Sequence, residues 1–130
     1  MILVDTSVWV DHLRRREQTL VAALDTGQVL MHPFIRGEVA CGNLKHRIEV
    51  LALMRELPHA PVATEEEALD FIERRKLMGR GIGYIDVHLL ASAVLSGTAR
   101  LWTRDKRLAV VADDLALAFD KGAGLFAGST

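Results

Sequence analysis

The sequence predicts an α/β fold in which a mostly parallel β-sheet is covered by helices on both faces. Two observations predict it. The apolar runs at residues 2–4 and 99–103 lack the polar–apolar alternation of a half-exposed strand, as strands buried on both faces do. Amphipathic helical patterns separate the strand candidates, and strands joined through helices run parallel. A chain of 130 residues suffices for one substantial core, so residues 1–130 read as a single domain.

Ile2-Leu3-Val4 is the first strand, and Asp5-Thr6-Ser7 supplies capping side chains for a helix over residues 7–16. A second helical piece over 17–24 aligns Leu20, Val21 and Leu24 and stops near Gly27. Residues 28–31 are the next strand. Pro33 suits the first turn of a third helix that passes Glu38 and ends at Cys41, before Gly42-Asn43. Residues 45–57 form a fourth helix, with Ile48, Leu51 and Met54 aligned. Pro58 and Pro61 then break the chain and leave room for a short strand over 61–63. Thr64 and Glu67 make a capping box for a fifth helix that reaches Met78. Gly79, Gly81 and Gly83 mark a loop, a sixth helix covers 84–95, and Gly97 closes it. A strand over 99–103, a short helix over 105–111 and a last strand over 115–119 complete the order. The glycine-rich tail, residues 121–130, reads as loosely held, with Leu125 and Phe126 able to dock.

Composition excludes several classes of protein. Half the residues are hydrophobic and a quarter charged, as in an ordinary folded domain. The apolar stretch around Val87 to Leu95 is too short to span a bilayer, and no signal peptide is evident, so the expected compartment is the cytoplasm. The single cysteine, Cys41, agrees with reducing surroundings, and the five scattered histidines show no zinc-ligand spacing. A net charge of −1 does not mark a dedicated duplex binder. The cations are nevertheless grouped: Arg14-Arg15-Arg16, Lys45-His46-Arg47, Arg74-Arg75-Lys76 with Arg80, and Arg104 with Lys106-Arg107. His12 and His88 read as packing or surface histidines. Gly79-Arg80-Gly81-Ile82-Gly83 lacks the lysine and hydroxyl of a phosphate-binding loop and does not follow a strand.

Four acids carry the functional signal. Asp5 and Asp105 fall just past strand ends, where parallel α/β sheets keep their working sites. Asp86 opens a helix whose aligned positions Leu90, Ala93 and Val94 are apolar, which turns its carboxylate toward the buried side. Glu38 lies among the apolar neighbours Ile35, Val39 and Ala40. Taken singly, Asp5 and Asp105 also read as helix caps and Glu38 as a solvated residue. Together, carboxylates held close repel and raise one another's pKa unless a cation neutralises them. Oxygen ligands of this kind suit Mg2+ or Mn2+. Thr6, Ser7 and Thr103 are placed to support them, and Arg14, Arg15, Arg104 and Arg107 are candidate phosphate contacts. Acids for metal beside cations for phosphate is the equipment of a nuclease cleft.

The residues Met1-Ile2-Leu3-Val4-Asp5-Thr6-Ser7, Glu38 on the third helix, Tyr84-Ile85-Asp86 entering a helix, and Leu101-Trp102-Thr103-Arg104-Asp105 resemble the PIN-domain family, most closely its VapC toxins. The resemblance covers essentially the whole chain. It implies a three-layer α/β/α sandwich with a five-stranded parallel sheet, and Mg2+- or Mn2+-dependent endoribonuclease activity. It makes Asp5, Glu38, Asp86 and Asp105 the acidic quartet, Asp105 being the member whose role varies most. It also implies a homodimer and a small VapB-like antitoxin that can place a basic side chain among the acids. The alternatives are a catalytically silent PIN-like module binding RNA or protein, and a phosphatase- or receiver-type domain. The latter needs a second acid beside Asp5, where Thr6 and Ser7 stand.

Overall fold

A computed structural model describes residues 1–122; the tail segment with Leu125 and Phe126 lies outside the described residues. Three parallel strands, β1 (Ile2–Val4), β2 (Val29–Leu30) and β3 (Arg100–Trp102), are ordered β2-β1-β3. Seven helices surround them: α1 (Thr6–Arg15), α2 (Gln18–Asp25), α3 (Pro33–Ala40), α4 (Arg47–Glu56), α5 (Glu65–Arg75), α6 (Tyr84–Ser96) and α7 (Lys106–Asp114). Ile2, Leu3 and Val4 are all buried although their side chains alternate between the two faces, so both faces are covered and the sandwich has three layers. α1 packs on α3 and α3 on α4, while α5 packs on α6 and α6 on β3. Every residue from Val87 to Ala93 of α6 is buried, so this helix runs through the core rather than along the surface. No helix of the described residues is long and apolar enough to cross a membrane.

Three strands stand where five were expected, and the outer two are reduced to single bridges. At one edge Met31 pairs with His59, with Met31 N–H donating to Pro58 O at 2.7 Å and Ala60 N–H to Met31 O at 2.8 Å. The strand anticipated at 61–63 does not form. Pro61 has no N–H to continue a ladder, and Pro58 limits it from the other end. At the opposite edge Leu101 pairs with Ala118, held by Leu101 N–H to Leu117 O at 2.7 Å and Phe119 N–H to Leu101 O at 2.9 Å. The strand expected over 115–119 starts late because α7 persists to Asp114 and Ala116 takes φ 59°. The other helix ends agree with the sequence reading within a few residues. Thr64 caps α5 with the reciprocal Glu67 bonds, and Lys76, in the left-handed region, stops that helix three residues before Gly79.

The order β2-β1-β3 fixes what can meet at the carboxyl edge. The chain leaves β1 into Asp5 and α1, leaves β2 through His32 into α3, and leaves β3 through Thr103 into Asp105 and α7. β1 lies between the other two, so its exit is the switch point at which such sheets bind ligands.

Candidate metal centre

Asp5 is buried at 7% exposure, and its backbone N–H donates to Trp102 O at 2.8 Å, which stitches the ends of β1 and β3 together. Asp5 occupies the N-cap position of α1, yet its side chain caps nothing. Its Oδ2 instead accepts from Ser7 Oγ at 2.8 Å and from Thr103 Oγ1 at 2.7 Å. The two hydroxyls themselves lie 3.4 Å apart, and each also accepts a backbone N–H, Ser7 Oγ from Arg104 and Thr103 Oγ1 from Asp105, both at 3.0 Å. A buried carboxylate is thereby held by donors already oriented by the β3–α7 turn.

Glu38 is exposed on α3, and its Oε1 accepts from Thr6 Oγ1 at 2.9 Å, so Thr6 links α1 to α3 as Ser7 links α1 to the β3–α7 turn. Asp86, half-buried in the first turn of α6, accepts at Oδ2 from Gly83 N–H at 3.1 Å. Asp105 caps α7, with Oδ1 accepting from Leu108 N–H at 3.0 Å. The cap reading of this residue therefore holds, and its second oxygen accepts nothing among the described residues.

Electrostatics tie the four together. Burial raises the Asp86 carboxyl above its ordinary range; the Gly83 N–H opposes this, and the charges of Asp5, Asp105 and Glu38 add to the rise. Among the described residues no three acid, histidine or cysteine side chains enclose an ion as they stand. The donor set is nonetheless all oxygen, and a carboxylate strained by three others has most to gain from a cation. Such a set fits a hard ion that keeps several of its waters and takes few protein ligands.

The four arginines separate into two groups. Arg14, Arg15 and Arg104 line one cavity of about 310 Å³ together with Asp11, Arg16 and Glu17. Within it Arg104 is paired with Asp11 and Glu17, and Lys121 also reaches Glu17. The Lys121 hydrogen bond, with the Thr19 N–H and Arg104, holds the Glu17 carboxyl down at about 2 against the opposing effect of burial. Arg107 stands elsewhere: its Cδ would lie 2.7 Å from a Cβ placed on Gly81.

Two further features escaped the sequence reading. The glycine loop before α6 is docked on α7, through Arg80–Asp114 at 2.6 Å and the Arg107–Gly81 contact. The same loop ends on Gly83, the hydrogen-bond partner of Asp86. Gly81 has φ +82°, so Gly81→Ala forces both an unfavourable backbone and a clash with Arg107. We expect a stability loss of about 1–2 kcal/mol, read by chemical denaturation. The second is an aromatic group, Phe34, His88 and Tyr84, packed between α3 and α6. Tyr84 was noted in sequence only as a neighbour of Asp86. His12 is a packing residue as anticipated, its ring against Trp9 and its Nδ1 accepting from Glu17 N–H.

Against this geometry, the model of the PIN domain family matches residues 2–114, a span that includes all four acids. The chain belongs to the PIN-domain family. Two relatives, both named Ribonuclease VapC32, from Mycobacterium tuberculosis strains CDC 1551 / Oshkosh and H37Rv, are each 50% identical to it over 108 residues. The aligned part covers 83% of this chain and 87% of each relative, so the PIN domain described here is of the VapC type.

Proposed function

We propose that this PIN domain is an endoribonuclease that hydrolyses RNA phosphodiester bonds with the help of Mg2+ (or Mn2+), and that it is the toxin of a toxin–antitoxin pair. The observation that carries the reading is the gathering of four acids at the carboxyl edge: Asp5 stitched to the β3 exit, Glu38 tied to α1 through Thr6, and Asp86 and Asp105 at the starts of α6 and α7, with Asp86 raised by burial and by the other three. The likeness to proteins named ribonucleases supports the choice of RNA.

In this reading Asp5, Glu38 and Asp86 hold the ion, and Asp105 helps from the start of α7. When bound, the ion supplies a Lewis acid at the phosphate and lowers the pKa of an attacking water. Ser7 and Thr103 hold the Asp5 carboxylate in place by hydrogen bonds, and Thr6 does the same for Glu38. Asp86, with its raised affinity for protons, is the group able to hold a proton at Oδ1 or Oδ2 when the ion is absent. Arg14 and Arg15, exposed at the end of α1, would take phosphates farther along the strand, whereas Arg104 and Arg107 chiefly build the scaffold.

The rest of the reading concerns partners. A homodimer working in the cytoplasm, silenced by a VapB-like antitoxin, fits the likeness to VapC proteins. A group of carboxylates short of positive charge is a natural seat for an antitoxin arginine. The test is incubation of antitoxin-free protein with single-stranded and structured RNA, with Mg2+ or Mn2+ and with a chelator. Cleavage that needs the ion supports the proposal. RNA bound but left intact under every condition would instead support a silent RNA-binding module.

A further inference from the structure

The acids have cationic neighbours and aromatic ones. Beside the β3 exit, where Arg104 lies, stands the cavity lined by Arg14, Arg15 and Arg16 and by Arg104 in its pairs with Asp11 and Glu17. Between α3 and α6, the helices that carry Glu38 and Asp86, stand aromatic rings. Phe34 lies one helical turn before Glu38 on α3, and Tyr84 lies two residues before Asp86 on α6. Between them His88, only 4% exposed, meets Phe34 at 5.0 Å and 77° and Tyr84 at 4.6 Å and 89°. Behind Phe34 lies His32, whose ring is 5.0 Å away and whose Nδ1 accepts the Phe34 N–H at 3.0 Å. The two outer rings remain open to solvent, Phe34 at 36% and Tyr84 at 45%.

Edge-to-face contacts with a buried imidazole fix how both rings are turned, so little freedom is lost when something stacks on them. The exits of β2, β1 and β3 follow one another along the carboxyl edge. A nucleic-acid strand bound at the acids would have both the cations and these π faces beside it. Phosphates are held by the first and unpaired bases by the second. Bases inside a duplex are stacked on one another and cannot use such rings.

We propose that Phe34 and Tyr84 form a stacking subsite for an unpaired nucleobase adjoining the scissile phosphate. The proposal rests on the ribonuclease reading of the acids for the position of that phosphate. Short single-stranded RNAs carrying 2-aminopurine at each position in turn provide the test, because the fluorescence of this base falls when it stacks. The protein is the full chain with Asp5→Asn, so that cleavage does not intervene. Quenching is expected at one position along the strand and not with a duplex of the same sequence. Phe34→Leu and Tyr84→Leu should remove it and weaken binding roughly 5- to 150-fold, whereas Tyr84→Phe should keep it. If a leucine variant fails to fold, the position map and Tyr84→Phe still decide. RNA that fails to bind, or binds without quenching at any position, overturns the subsite, as a protein-docking role for these rings would predict. A parallel cleavage assay on the unmutated protein separates the two readings: cleavage without quenching removes the subsite alone, and quenching without cleavage removes the ribonuclease alone.

Discussion

Asp5→Asn lowers RNA cleavage by at least about 100-fold, the scale on which a single preorganised electrostatic group acts, while leaving the fold in place. Asparagine keeps the size of the side chain and a carbonyl oxygen able to accept from Ser7 Oγ and Thr103 Oγ1, the two bonds that hold Asp5 Oδ2 now. What it removes is the charge at the centre of the sheet edge. The backbone link from Asp5 to Trp102 is untouched, so β1 and β3 stay joined. Initial rates of cleavage, read beside the thermal midpoint, check the expectation. Full activity would remove Asp5 from the ion site, and a collapse of the midpoint would make it a structural residue instead.

Asp86→Asn has a comparable effect on activity and a more telling one on stability. Because its carboxyl is raised above the ordinary aspartate value of 3.8, the ionised form is disfavoured in the folded chain. The folded state then binds this proton more readily than the unfolded one, so the group costs stability above its folded pKa. That cost fades as pH falls through the raised value and has gone below 3.8. Without divalent ions at neutral pH, Asp86→Asn should therefore melt above the unmutated protein, and the gap should close on acidification. Mn2+ reverses the order. An ion at about 100 times its dissociation constant stabilises the native state by about 2.7 kcal/mol, a gain the variant largely forgoes. Melting curves with and without Mn2+, at neutral and acid pH, supply the comparison. An unmutated protein that melts higher under all four conditions would contradict the electrostatic origin of the raised pKa.

Much of the site was legible because its acids are announced by their local context. Asp5 follows a strand with no alternation, and Asp105 follows another, so the sequence alone places both at one sheet edge. The hydroxyls Thr6, Ser7 and Thr103 could be named for the same reason, and each is now seen bonding to an acid. Glu38 was harder, since nothing near it in sequence distinguishes it from a solvated glutamate. It is the Thr6 bond, across 32 residues, that draws it in. The docking of Gly81 on Arg107 and the pairing of Arg80 with Asp114 join remote segments and leave no periodic trace in sequence. The edge strands failed for local reasons, a proline pair on one side and a left-handed Ala116 on the other, that override a favourable apolar run. Arg104 was read as a phosphate contact because it is cationic and near Asp105; its partners Asp11 and Glu17 come from α1 and the turn after it.

The proposed convergence on one divalent ion of the acid that follows β1 with those of α3, α6 and the β3–α7 turn is tested most directly by calorimetric titration of Mn2+ into the unmutated protein, Asp5→Asn and Asp86→Asn. One class of site in the unmutated protein, weakened at least about 10-fold in each variant, is the predicted result. No heat of binding, or a site that both variants retain unchanged, would contradict it.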